Sequence, residues 1–320
     1  AEFGVREVHA KYAEGKLHID ADDKQKETLK LLGEALSTSL KFLGESSIMP
    51  KPFHIITSSK DTQFEVGGQL KKVGFGSSAA LVVSAVAAVL DFHGYQANKE
   101  EIYKLSTIAH YYAQGKVGSA FDVAASTYGG LFVYSRFDPD WLTKKVESGE
   151  PLAQIVREKW PSLIIEELSI PADFRLLVGW TGDSASTSAA IKQMNEFKAA
   201  NREKYDELMD SIADIAEGAI ESFRGEDWEK FFIVLNKNEE LLRELGETSK
   251  VNIETPELRK LSEIASDYGA VGKLSGAGGG DCGIGICFDD VTANNVMAAW
   301  GDEGLKPLDI TIDKDGVKKD

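Results

Sequence analysis

Residues 71–94 read KKVGFGSSAALVVSAVAAVLDFHG. Gly74 and Gly76 are followed by Ser77 and Ser78, then by a segment that is apolar on nearly every helical face. That pattern predicts a buried helix, since a surface helix keeps a polar side. The glycines let a ligand approach the backbone closely. The unpaired N–H groups of the first helical turn, at the positive end of the helix dipole, favour an anion there. Two hydroxyls at that point can hydrogen-bond phosphate oxygens or hold a magnesium ion. An N-capped core helix with a tight entry turn would read the same way. The loop contains neither GxxxxGK[ST] nor GxGxxG, so it is not a P-loop or a dinucleotide fingerprint.

Outward from this stretch the chain alternates between helical and extended patterns. Val5 to Asp20 reads as one or two strands, and Leu29, Leu32, Leu36, Leu40 and Leu43 form one helical stripe. Phe53–Thr57 reads as a short strand. Asn98 with Glu101 three residues on is a capping signal for a helix reaching about Gln114. Leu131–Ser135 and Phe174–Trp180 read as strands, and Ser186 to Gly246 as charged helices whose charges are solvated faces. Thr255-Pro256 starts a further helix and Gly269 stops it. Ile284–Phe288 and Leu308–Ile312 are strand patterns flanking a last helix near Val291–Trp300. The order gives no repeated βαβ unit, so the expected class is α+β, with a boundary near residue 170.

Composition narrows the function classes. The 320 residues carry 36 basic and 52 acidic side chains, a net charge of −16. So acidic a chain repels a phosphate backbone, which argues against nucleic acid as a partner. Phosphate chemistry would have to be local, built from backbone N–H groups and a few lysines. The longest nearly continuous apolar stretch, Ala79–Leu90, is too short to span a bilayer, and the start lacks a signal-peptide layout. A cytoplasmic protein without a membrane partner is the expectation. Cys282 and Cys287 are too few for a disulfide framework or a Cys-rich zinc site. Five apart on a strand, they would face opposite sides and could not pair with each other. The five histidines, His9, His18, His54, His93 and His110, show no metal-ligand spacing.

Three further stretches can carry chemistry. SGAGGGDCG, Ser275 to Gly283, holds five glycines within eight residues, more than a turn requires, and reads as a backbone cradle for phosphate or substrate. A long turn is the plainer reading. In KVGSAFDVAAS, Lys116 to Ser126, Asp122 lies among small and apolar residues; it is either a helix-capping group or a carboxylate held toward a reacting group. In LVGWTGDSASTS, Leu177 to Ser188, a buried strand delivers hydroxyls to a helix start, as an anion site or an over-provided cap. Cys282 has no histidine near it in sequence, so a small buried residue is a better reading than a nucleophile.

Two separate Gly/Ser loops with a small-residue Asp segment between them resemble the GHMP kinase superfamily. GFGSSAA is similar to its ATP-binding second motif, and SGAGGGDCG to its C-terminal third. VGSAFDVAASTYGG and LLVGWTGDSAST resemble the phosphomevalonate kinase family within it. The resemblance implies an N-terminal α/β domain of S5-like type over about 1–170 and a ferredoxin-like α+β domain over 171–320. It also implies ATP-dependent phosphorylation of (R)-5-phosphomevalonate, in the mevalonate route to isoprenoids, with ATP and Mg2+ as cofactors. Gly74, Phe75, Gly76, Ser77, Ser78 and Ala79 would hold ATP phosphates, with Ser78 also the magnesium candidate. Asp122 would be the catalytic aspartate. Lys116, Ser119, Thr187, Ser188, Ser275, Gly276, Ala277 and Gly278 would lie on the substrate side, while Asp281 would fix the glycine loop. The family's first motif, a lysine with a Gly-Glu turn, has no counterpart before Val5, and Lys11, Lys16 and the AEGK turn do not supply one. Another small-molecule kinase of the superfamily, such as a mevalonate kinase, and a non-catalytic nucleotide-binding relative therefore remain as alternatives. The expected partner is a small molecule, phosphomevalonate, with a homodimer left open.

Overall fold

A computed structural model describes residues 7–58, 63–66, 69–182 and 187–319, with side chains outside the description at 63–66, 69–72 and 187–188. In chain order, β1 (His9–Ala13) and β2 (Lys16–Asp20) lead to α1 (Asp23–Thr28) and α2 (Lys30–Glu45). A second pair, β3 (Gln63–Val66) and β4 (Gln69–Lys72), precedes α3 (Ser77–Phe92), α4 (Lys99–Ala113) and α5 (Phe121–Tyr128). Then come β5 (Leu131–Ser135), α6 (Pro139–Glu147), α7 (Leu152–Arg157) and β6 (Ile164–Leu168). After β7 (Arg175–Trp180) follow α8 (Thr187–Ala200), α9 (Arg202–Arg224), α10 (Trp228–Ser249) and α11 (Pro256–Asp267). The chain continues with β8 (Val271–Leu274), β9 (Cys282–Cys287), α12 (Asp290–Asp302) and β10 (Lys306–Leu308). These form two compact units: Ala1–Asp61 with Phe75–Leu168 and Asp313–Asp320, and Thr62–Gly74 with Ser169–Ile312.

The first unit is built around α3. Its fully buried side chains, Ala79, Val82, Val86 and Val89, together with Val83, Ala85 and Leu90, cover more than one face. They need partners on several sides, and α2, α4 and α5 supply them. Leu36, Leu40 and Leu43 of the α2 stripe enter the same core. The Asn98/Glu101 capping box is formed at the start of α4, satisfying two backbone N–H groups that would otherwise lack partners. At the hairpin tip Glu14 and Gly15 both take positive φ, 54° and 76°, as a two-residue β-hairpin turn requires.

Phe53–Thr57 differs from its sequence reading, because no strand forms there. Phe53 docks on the end of α3, its ring 5.8 Å from that of Phe92 and 5.5 Å from His93, while Ile56 is exposed. Alternation alone cannot tell a strand edge from an extended segment lying on a helix.

The second unit holds a four-stranded sheet in the order β10-β7-β9-β8, every neighbouring pair antiparallel. Counting strands within this sheet alone, this is the 4-1-3-2 order of a βαββαβ ferredoxin-like domain, with α8–α11 in the first crossover and α12 in the second. The alternation in Cys282-Gly283-Ile284-Gly285 explains how helices settle on the sheet. A Cβ on Gly179 or Gly283 would fall 2.6 Å from a methyl of Leu261, so these facing glycines leave a groove for α11. The opposite face packs Val73, Val178, Trp180, Cys282 and Leu308. Cys287 lies in the core with Leu261 and Trp300, so the two free cysteines sit on opposite faces as expected. The last strand is Lys306–Leu308, earlier than the expected 308–312, because pairing with Val178–Trp180 ends there.

Candidate active site

In the first unit the start of α3 is organised by a glycine rather than by a serine. Gly76 is the N-cap, with φ 68° and ψ 29°, and no side chain caps the helix. The serines therefore do not serve as caps, and the Ala80 N–H makes the first helical bond, to the Gly76 carbonyl. This leaves the N–H groups of Ser77, Ser78 and Ala79 ahead of the helical ladder, the arrangement that receives anions at helix starts. Ala79 contributes only its backbone, since its methyl is fully buried. Phe75 is 41% exposed.

Asp122 comes to this loop from α5. That helix is also entered through a left-handed residue, Ala120, with φ 60°, and has no side-chain cap. Asp122 stands in the first turn, where its Oδ1 accepts from the Val123 N–H at 3.0 Å. A Cβ added to Gly76 would lie 3.4 Å from the Asp122 Cβ, so Asp122 stands directly beside the bare face of that glycine. Behind them the Tyr134 hydroxyl donates to the Ser119 carbonyl at 2.5 Å and lies 2.9 Å from the Tyr103 hydroxyl. Burial raises the pKa of Tyr103, and burial likewise lifts Tyr134 to about 12, so both phenols stay neutral struts. Lys116 ion-pairs with Glu147, and its ammonium lies 5.4 Å from the Tyr112 ring centroid.

His110 was not singled out from the sequence. It is 4% exposed on α4, with Nε2 3.2 Å from Ser78 Oγ and 3.1 Å from Gln114 Nε2. Burial depresses its pKa, a shift opposed in part by the Asp122 carboxylate. Its only sequence signal was a histidine inside an apolar helix, which ordinarily marks a core residue.

In the second unit the glycine loop spans residues 275–281 between β8 and β9. Gly276, Gly278, Gly279, Gly280 and Asp281 all have positive φ. Gly278 admits no side chain, since a Cβ would lie 2.0 Å from the Ile253 carbonyl oxygen. The Gly279 N–H donates to that same oxygen at 2.7 Å. Ser275, Gly276 and Ala277 are exposed. Asp281 fixes the loop: its carbonyl accepts from the N–H and hydroxyl of Thr181, at 2.8 and 2.9 Å, and its Oδ1 accepts from the Gly74 N–H at 3.2 Å. Burial and the Asp281 carboxylate push the Cys282 thiol up to about 12, so it is not a nucleophile. At the foot of the loop Glu239, 4% exposed, accepts from the Leu274 N–H at 3.0 and 3.1 Å and from Ser262 Oγ at 3.1 Å. Thr187 and Ser188 begin α8, with side chains outside the described residues, as is the whole of 183–186.

A phosphate-type helix start beside an acidic helix start, with a separate pinned glycine loop, defines the class of protein. Residues 30–130 match the GHMP kinases N terminal domain and residues 219–306 the GHMP kinases C terminal domain. The chain belongs to the GHMP kinases and is a phosphotransferase of that superfamily. More particularly, it is 29% identical to a phosphomevalonate kinase from Streptomyces sp. (strain CL190), over 99% of this chain and 84% of that one. Among solved structures, the Lin0012 protein from Listeria innocua superposes with a TM-score of 0.83 at 29% identity, covering 94% of this chain and 82% of the other. A Streptococcus pneumoniae phosphomevalonate kinase, in complex with phosphomevalonate and AMPPNP, shares the fold at a TM-score of 0.77 and 24% identity, over 96% and 89% of the two chains.

Proposed function

We propose that the protein is a phosphomevalonate kinase, transferring the γ-phosphoryl group of ATP to (R)-5-phosphomevalonate to give 5-diphosphomevalonate and ADP. The observation that carries this reading is the placement of Asp122 beside Gly76 of the GFGSSAA loop inside one unit. Similarity to the Streptomyces enzyme over nearly the whole chain, and to a fold seen with phosphomevalonate and AMPPNP, supports the choice of acceptor.

The acceptor is a phosphate monoester with a second pKa of about 6, so it is mostly dianionic at neutral pH. It needs little help from a general base. Repulsion between two phosphates is the larger obstacle, and catalysis rests on positioning and on offsetting negative charge. Gly74 to Ala79 hold the ATP phosphates, chiefly through the backbone N–H groups of Ser77, Ser78 and Ala79, that of Gly74 being taken by Asp281. Asp122 orients the acceptor or its counter-charges rather than removing a proton. Ser119, Lys116, Thr187, Ser188 and Ser275 to Gly278 serve the substrate side; Lys116 would have to leave Glu147 to do so. The Ser78 hydroxyl and the Asp122 carboxylate are hard oxygen donors of the kind magnesium takes alongside phosphate oxygens. The ion would supply positive charge where the phosphates meet.

Incubation with ATP and phosphomevalonate should replace the monoester phosphorus NMR signal of phosphomevalonate with the two signals of a second diphosphate ester, distinct from those of ADP. Release of inorganic phosphate without that ester would contradict the assignment. The Asp122→Asn variant should lose turnover by orders of magnitude with ATP affinity nearly unchanged, and full turnover in that variant would remove Asp122 from catalysis.

A further inference from the structure

Arg136 carries a guanidinium that the described residues leave without an anion. Its Nε is buried and makes no hydrogen bond, and no carboxylate among those residues pairs with it. Arg175, Arg202, Arg243 and Arg259 each pair with a carboxylate. With 52 acidic side chains against 36 basic ones, anions are not in short supply. The Arg136 Cζ lies 5.6 Å from the Phe137 ring centroid, but a cation–π contact uses none of the N–H groups of the fork.

The chain delivers this arginine to the Asp122 end of the first unit. α5 begins at Asp122 and ends at Gly129; β5 then returns, so that the Tyr134 hydroxyl reaches the Ser119 carbonyl just ahead of α5. Arg136 follows directly after β5, and the period of two keeps it on the side of Tyr134. Burial raises the Tyr134 pKa, while the charge of Arg136 lowers it and that of Asp122 raises it, so both charges reach one phenol. Phe137, 1% exposed and packed on Tyr111 and Trp160, anchors the chain beside Arg136.

We propose that Arg136 selects the acceptor, its guanidinium receiving the phosphate monoester of the substrate on the Ser119 side of Asp122. The fork of a guanidinium matches two phosphate oxygens at once. Lys116 must leave Glu147 to bind an anion, whereas Arg136 gives up no carboxylate. Positive charge on the acceptor phosphate also offsets the repulsion between the two phosphates. An alcohol acceptor offers nothing for the fork to hold. The inference deepens the phosphomevalonate kinase reading and rests on it.

The test is steady-state kinetics with ATP and phosphomevalonate, mevalonate being titrated as a competing inhibitor, alongside thermal unfolding of each variant. Arg136→Met keeps a stem against Phe137 and removes the N–H groups. It should raise KM for phosphomevalonate by about 10- to 100-fold, the worth of a hydrogen bond to a charged group. KM for ATP, the inhibition constant of mevalonate and Tm should stay level. Arg136→Lys, with the charge but not the fork, should recover part of the loss. An unchanged KM for phosphomevalonate in Arg136→Met would overturn the proposal. So would equal rises for phosphomevalonate and mevalonate, which put the guanidinium on a group the two molecules share, or a fall in Tm with all constants shifted together, which marks a structural arginine. Failure of the wild type to phosphorylate phosphomevalonate would instead overturn the kinase reading, and this inference with it.

Discussion

Asp281 does two jobs with one residue. Its left-handed backbone, φ 62°, turns the end of the glycine loop into β9 while its carboxylate receives the Gly74 N–H. The contact explains why position 74 is glycine, since a Cβ there would meet Asp281 Oδ2 at 1.8 Å. Gly74→Ala should therefore cost about 1–3 kcal/mol, as over-packed positions do, read as a drop in thermal stability. Wild-type stability in this variant would show that the Asp281 side chain moves freely. Glu239 offers a pH test beneath the same loop. Burial raises its pKa above the ordinary 4.5, so the folded state binds a proton that the unfolded state has lost. Stability then falls as pH rises from the unfolded value toward the folded one. Compared with Glu239→Gln, which keeps an acceptor for Leu274, the wild type should lose ground as pH rises above the ordinary 4.5. A Tm difference that stays constant over that range would contradict it. The loop-fixing role of Asp281 was legible through the family resemblance of SGAGGGDCG. Its partner was not, lying 207 positions away. His110 was missed for the same reason, since its meaning comes from a serine on another helix.

At the level of elements, periodicity and caps were readable because they are local. The α2 stripe, the Asn98 box and the Thr255-Pro256 start all form. The strands read at Leu131–Ser135 and Phe174–Trp180 also form, whereas Phe53–Thr57 does not become one, because its extended pattern lies on a helix and not at a strand edge. The clamp on α5 also lay beyond sequence reasoning. The segment after Asp313 runs against the end of that helix, where the Gly130 N–H donates to the Asp313 carbonyl at 2.7 Å and the Val317 N–H to the Thr127 carbonyl at 3.2 Å. Gly129, at φ 70° and ψ −169°, adopts a conformation essentially reserved for glycine. Gly316 has φ 65°, and a Cβ on it would lie 2.5 Å from the Thr127 carbonyl oxygen. Gly316→Ala should loosen the helix that carries Asp122, costing about 1–3 kcal/mol. Hydrogen exchange should quicken at α5 amides while α3 stays protected. Equal exchange in the two proteins would show that the clamp does not hold α5.

For the whole molecule, the α+β class was readable because the strands and helices did not repeat as βαβ units. The strand order was not, since β7 pairs with β9 across about a hundred residues. Nor did the sequence show that 62–74 and 313–320 each belong with residues far along the chain. The net charge of −16 fits a kinase whose phosphate contacts are backbone groups. Screening that charge should leave kcat/KM for anionic substrates level or raise it as salt goes from low to about 0.15 M. A steep fall would indicate a basic substrate surface instead. The most direct test of the central claim is ADP release measured by a coupled assay with phosphomevalonate, with mevalonate and with no acceptor. Fast release with phosphomevalonate, and background rates in the other two, is the predicted result. Preference for mevalonate, or a rate indifferent to acceptor, would contradict it.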